Sequence, residues 1–148
     1  MPNSIRDKKM MLISHRGNLN GPIPERENSI EYIEAALEKG FHVEIDVWYD
    51  NDHWYLGHDN PQYLIDMEFL KDIRLWCHAK NIAALKNMIK EGIHCFWHQE
   101  DEHTLTSRGW IWAYPGSPLT DRSIAVMPAS KVTEDCAGIC CDFIEEYK

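Results

Sequence analysis

The chain has no stretch of ~20 apolar residues, so no segment reads as a bilayer-spanning helix. It is short of positive charge. Fifteen Lys and Arg face 24 Asp and Glu, giving a net charge of −9. The one basic run is Lys8-Lys9. A polymeric nucleic-acid partner, which a basic face would attract, is therefore not expected. Repeats, low-complexity tracts and long linkers are also missing. The start, MPNSIRDKKM, is polar and is followed by no secretion-type apolar region, which points to the cytoplasm. The five cysteines (Cys77, Cys95, Cys136, Cys140, Cys141) show no CxxC spacing. A zinc set of Cys136, Cys140, Cys141 and a distant His has no motif behind it, and the thiols read as reduced and mostly buried.

What is present is a globular composition. Hydrophobic residues make up 44% of 148 residues, including six Trp, six Tyr and four Phe. That length suits one domain over residues 1–148 with a real core. Residues 10–14 form an apolar run ending at His15. A helix opens at Asn28, with Glu31 in a capping box, and stops at Gly40. Residues 41–49 alternate: Val43, Ile45, Val47 and Tyr49 take one face, and His42, Glu44, Asp46 and Trp48 the other. A turn at 50–52 leads to a return strand over 53–57. Further strands are expected at 74–79, 93–98, 109–114, 123–127 and 138–142. A second helix runs over 82–91 behind an Asn81 cap. A single helical turn is expected at 101–106.

Alternating strands and helices argue for parallel β/α construction. A complete (β/α)₈ barrel takes ~250 residues. The expected fold is thus a trimmed TIM-like (β/α) barrel with seven barrel strands and few outer helices. A five- or six-stranded open sheet is the alternative. Strand backs left bare in the helix-poor second half would favour self-association.

Polar side chains gather at the C-terminal strand ends, where β/α folds keep their sites. Glu44 and Asp46 point into the same space. Oxygen ligands so placed suit Mg²⁺ or Ca²⁺, or else one of them pairs with a buried Lys or Arg. His78 is a third candidate ligand, and its imidazole leans toward Mn²⁺ or Zn²⁺. His15 and His58 suit acid and base work, or are hydrogen-bonded structural residues. Arg16 offers a fork for phosphate oxygens, and Lys80, on the face of His78, needs an anion. His98, Gln99, Asp101 and His103 follow a later strand and are weaker candidates. Trp110, Trp112 and Tyr114 alternate and read as interior packing. Asp142 would orient a Lys or Arg.

His15-Arg16-Gly17, Glu27-Asn28-Ser29, Glu44-Ile45-Asp46-Val47 and Gly57-His58-Asp59 together resemble the glycerophosphodiester phosphodiesterase family in order, spacing and strand context. The likeness covers residues 11–60 and thins afterwards. His78-Ala79-Lys80 stands where the family carries Glu-x-Lys, and Gly138–Asp142 looks like its last strand. The resemblance implies a (β/α)₈-type fold and a metal-dependent hydrolase. It makes His15 and His58 the acid/base pair, and Arg16 and Lys80 the phosphate-binding residues. Glu44 and Asp46 would ligate the cation, with His78 and Glu27 as further ligands or, for Glu27, a neighbour of the substrate hydroxyl. The implied partner is a small glycerophosphodiester-like substrate. Two relatives of this reading are a lyase that stops at a cyclic phosphate and a binding protein without turnover.

Overall fold

The structure, a computed structural model, describes residues 10–148. The Lys8-Lys9 pair and the polar start lie outside the described residues. The elements are β1 (Met11–His15), α1 (Ile30–Glu38), β2 (His42–Asp50), β3 (His53–Leu56), β4 (Tyr63–Ile65), β5 (Leu75–Ala79), α2 (Ile82–Lys90), β6 (Cys95–Phe96), β7 (His103–Leu105), β8 (Ile111–Ala113), β9 (Ser123–Val126) and β10 (Gly138–Cys141). Single 3₁₀ turns occupy Met67–Lys71 and Ile144–Tyr147.

Seven strands are parallel neighbours in the order β6-β5-β2-β1-β10-β9-β8. The last strand of the chain therefore hydrogen-bonds to the first, with Met11 opposite Gly138. Three antiparallel additions complete the sheet: β3 on β2, β4 on β3, and β7 on β8. The seven parallel strands match the seven expected from the alternation. The sheet is curled, because its two ends meet across the interior. Phe96 of β6 and Trp112 of β8 sit at opposite ends of the parallel row, yet their ring centroids are 4.9 Å apart.

Two apolar layers hold this curl. Outside, α1 and α2 cover Val43, Ile45 and Val47 of β2 and Cys77 and Ala79 of β5. Inside lies a cluster of Ile13, Trp76, Phe96, Trp112, Ile124, Val126, Ala137 and Cys140. Six of the seven parallel strands, or the residue just before them, contribute to it. β2 is the exception, since its inner face offers His42, Glu44 and Asp46. A third cluster covers the backs of β9 and β10 with Phe41, Cys136 and Ile144. Those two strands therefore lack the bare backs on which self-association was expected. All five cysteines are buried and none is in a disulfide. No helix among the described residues is long and apolar enough to cross a membrane.

Local chemistry explains the elements and the departures from expectation. The cap of α1 is Ser29, whose hydroxyl accepts from the Tyr32 amide, and not Asn28. Asn28 lies outside the helix at φ 67° and is used elsewhere. Asn81 does cap α2, accepting from Ala84 N at 2.9 Å, and its amide donates to Tyr49 O at 3.0 Å, which ties α2 to β2. Asn51 and Asp52 both take positive φ, the turn that matches strand twist between β2 and β3. The 101–106 segment holds strand β7 and not a helical turn, because it pairs with β8. β6 and β8 are shorter than their apolar runs, which places His98 and Gln99 in a loop.

At the N-terminal end of the sheet, His94 is buried against Trp76, with ring centroids 4.5 Å apart, and its Nε2 bonds Thr106 Oγ1 at 2.8 Å. Burial, with Arg108 and His42 nearby, pulls its pKa down from 6.5 to about 4. Between these values the unfolded chain takes up a proton that the folded chain refuses. This contribution to stability is complete above pH 6.5 and is lost as pH falls toward 4. Over that window the wild type should lose about 2–3 kcal/mol more stability than His94→Gln in denaturant titrations. Equal losses would refute the assignment.

Candidate active site

Register sets the centre of the site. Asp46 of β2 lies directly opposite His78 of β5, and Glu44 lies opposite Trp76. His78 Nδ1 is 3.2 Å from Asp46 Oδ1 and 3.8 Å from Glu44 Oε2. One ligand atom from each of Glu44, Asp46 and His78 lies within 4.8 Å of the others, and the three could hold a metal ion. Both carboxylates are buried. Glu44 Oε1 and Asp46 Oδ1 have no hydrogen-bond partner among the described residues. Oxygens left without a hydrogen bond in the interior are costly, and a cation held between them would compensate both.

The second oxygen of Asp46 is satisfied. Asn28 Nδ2 donates to Asp46 Oδ2 at 2.9 Å, and Asn28 Oδ1 accepts from the Asp46 amide, also at 2.9 Å. Arg16 Nε stands 3.3 Å from the same Oδ2. Burial would raise the Asp46 pKa, but the His78 imidazole, the Arg16 charge and the Asn28 amide outweigh it and bring it to about 2. Glu44 moves the other way. Burial and the adjacent Asp46 charge push it up against the pull of His15, His78 and Arg16.

His15 ends β1, and its Nδ1 bonds Asp142 Oδ1 at 2.7 Å. Asp142 also accepts from Asn18 Nδ2 at 2.9 Å. A ring donating from Nδ1 presents Nε2 to the site, 3.8 Å from Glu44 Oε1. Burial works to lower the His15 pKa, and the Asp142 hydrogen bond and Glu44 charge reverse the sign and raise it. Asp142 therefore orients a histidine and not the lysine or arginine expected for it. β10 follows the rest of the chain and pairs with β1, so residues 127 positions apart meet.

Arg16 takes φ 60° and Gly17 φ 95°, which turns the chain sharply after β1. A Cβ on Gly17 would sit 2.7 Å from the Tyr32 ring, so this turn requires glycine. Arg16 Nη1 donates to Glu27 Oε1 at 3.1 Å, and Asn18 Nδ2 donates to Glu27 Oε2 at 3.0 Å. Glu27 is thus engaged with Arg16 and Asn18 and lies outside the three-residue ligand group.

His58 sits on the rim, its loop pinned to β2 by Trp48 Nε1 donating to Gly57 O at 2.7 Å and Gly57 N donating to Asp46 O at 3.1 Å. Its Nδ1 faces Asp59 Oδ1 at 2.9 Å. Two cavities, about 370 and 420 Å³, share His15, Arg16 and His58. Glu27, Asn60 and Gln62 line the first, and Glu44, His78, Lys80, His98, Gln99 and Tyr114 the second. Lys80 has no carboxylate at ion-pair distance among the described residues. Asp101 and His103 line neither cavity, and His103 Nε2 bonds Pro118 O at 3.0 Å.

The structure therefore brings His15, Arg16, Glu44, Asp46, His58, His78 and Lys80 together. Sequence reasoning missed Asn18 and Asn28 as members. The signal for them was the demand itself: buried carboxylates at 44, 46 and 142 need neutral donors, and these two asparagines lie in the loop between β1 and α1. No protein-family model, curated protein or solved structure matches the chain. Function therefore rests on the site.

Two buried carboxylates on one strand face should strain the metal-free protein. Glu44→Gln should raise its stability by about 1 kcal/mol in chelator, and divalent cation should raise the wild-type Tm but leave the variant unmoved. Thermal melts with and without Mn²⁺ check this. Equal metal-induced shifts in both proteins would contradict it.

Proposed function

We propose that the protein is a metal-dependent phosphodiesterase, built on a trimmed TIM-like (β/α) barrel, that cleaves a small glycerophosphodiester-like substrate. The observation that carries this reading is the lining of one cavity by His15, Arg16, Glu44, His58, His78 and Lys80, with Asp46 in contact with Arg16 and His78. The likeness of residues 11–60 to the glycerophosphodiester phosphodiesterase family supports the same assignment. The parallel row of strands, met in chain order, supports the barrel.

Glu44, Asp46 and His78 would hold the divalent cation. That cation would offset negative charge on a phosphoryl oxygen and lower the pKa of a substrate hydroxyl. The remaining roles fall to the chain. His15, held by Asp142, offers Nε2 to the cavity as one proton-transfer group, and His58 on the rim is the other. One takes the proton of the nucleophile and the other returns one to the leaving oxygen. Arg16 is fixed by Glu27 and Asp46 and presents its remaining N–H groups to phosphate oxygens. Lys80 is the second phosphate contact, and with no carboxylate at ion-pair distance among the described residues its charge is available.

His15→Ala and His58→Ala should each lower kcat by on the order of 10²–10⁴, and chelator should abolish turnover. A panel of glycerophosphodiesters and a chromogenic diester, followed by phosphorus NMR, measures this and separates a hydrolysed from a cyclic product. Turnover indifferent to chelator and to His15→Ala would overturn the reading. So would metal-dependent binding of the diesters with no turnover.

A further inference from the structure

The donor set narrows the choice of ion beyond the proposed reaction, on which this inference rests. We infer that Glu44, Asp46 and His78 select a nitrogen-accepting first-row transition ion, in the class from Mn²⁺ to Zn²⁺, over Mg²⁺ and Ca²⁺.

The imidazole is built in as a ligand. His78 Nε2 lies 3.3 Å from the His98 carbonyl, which can only accept, so Nε2 carries the hydrogen. The other ring nitrogen, Nδ1, is the atom facing Asp46 Oδ1 at 3.2 Å and Glu44 Oε2 at 3.8 Å. The ring is also fixed. It stacks on Phe96 with centroids 5.1 Å apart and planes 5° apart, and His98 in turn stacks on Tyr114 at 4.0 Å. A backbone carbonyl that fixes the far nitrogen, with packing that fixes the plane, is the usual support of a metal-ligating histidine.

Oxygen donors are correspondingly few. Asp46 Oδ2 is held by Asn28 and Arg16, so Asp46 offers only Oδ1. The Glu27 oxygens are held by Arg16 and Asn18. That leaves one Asp46 oxygen and the Glu44 carboxylate. Ca²⁺ takes 6–8 oxygens, and Mg²⁺, content with one or two carboxylates and water, gains little from an imidazole nitrogen. Imidazole with a small number of carboxylates suits Mn²⁺, Fe²⁺, Co²⁺ and Zn²⁺. The rival arrangement is an imidazolium at His78 that donates from both nitrogens and needs no ion.

The test uses chelator-stripped full-length protein titrated calorimetrically with Mn²⁺, Co²⁺, Zn²⁺, Mg²⁺ and Ca²⁺. Affinity should rise from Mn²⁺ toward Zn²⁺, with Mg²⁺ and Ca²⁺ about 100-fold or more weaker than Mn²⁺. Pulsed EPR of the bound Mn²⁺ should show nitrogen coupling from one imidazole, a reading that needs no variant. His78→Asp should lose that coupling and move the Mn²⁺/Mg²⁺ preference at least about tenfold toward Mg²⁺. Mg²⁺ or Ca²⁺ binding within tenfold of Mn²⁺, or bound Mn²⁺ without nitrogen coupling, overturns the selectivity and leaves the metal-dependent phosphodiesterase intact. Failure of all five ions to bind overturns both and leaves the imidazolium arrangement.

Discussion

Two carboxylates buried two residues apart on the inner face of β2 impose conditions on everything around them. Glu44 and Asp46 stand where the other parallel strands place apolar side chains, and each leaves one oxygen without a hydrogen bond among the described residues. Charge of that kind persists in an interior only when neighbours compensate it. The neighbours are specific. Asn28 grips Asp46 from side chain and backbone, Arg16 lies against its outer oxygen, and His78 closes the third side. Arg16 and Asn28 both occupy the left-handed region, which non-glycine residues adopt at a cost, and both do so while touching Asp46. Local backbone strain is thus spent where the buried charge requires donors.

The curl of the sheet supplies the rest. Pairing β10 with β1 brings Asp142 to His15 and fixes which ring nitrogen faces the cavity. Parallel pairing places β5 between β2 and β6, and the curl brings the loop after β8 to the loop after β6. His78 gains the His98 carbonyl and the Phe96 ring, and His98 gains Tyr114. Below this polar rim, Trp76, Phe96 and Trp112 fill the interior. An apolar floor that excludes water strengthens every charge interaction above it.

Much of this was legible in the residues, for reasons of period. The alternation over 41–49 separates Val43, Ile45 and Val47, under the helices, from Glu44 and Asp46, inside. The pattern Trp76, His78, Lys80 assigns a face in the same way. His15 and His58 could be placed at strand ends because apolar runs precede them. Hydrogen-bond partners could not be placed. Asn28 sits beside Ser29, both good helix caps, and one sequence does not say which hydroxyl or amide takes the cap. The choice is made by Asp46, 18 residues away, which claims Asn28. Asp142 likewise has a partner visible only once β10 lies against β1. The segment 101–106 carries no strong period, and its strand exists because β8 offers an edge.

Whether the buried triad holds a cation is decided most directly by crystals of the protein grown with Mn²⁺ and measured above and below the manganese absorption edge. One anomalous peak is expected about 2.2 Å from His78 Nδ1 and from an oxygen of each of Glu44 and Asp46, with His78 Nε2 still on the His98 carbonyl. Absence of a peak, with His78 bonded directly to both carboxylates, would contradict it.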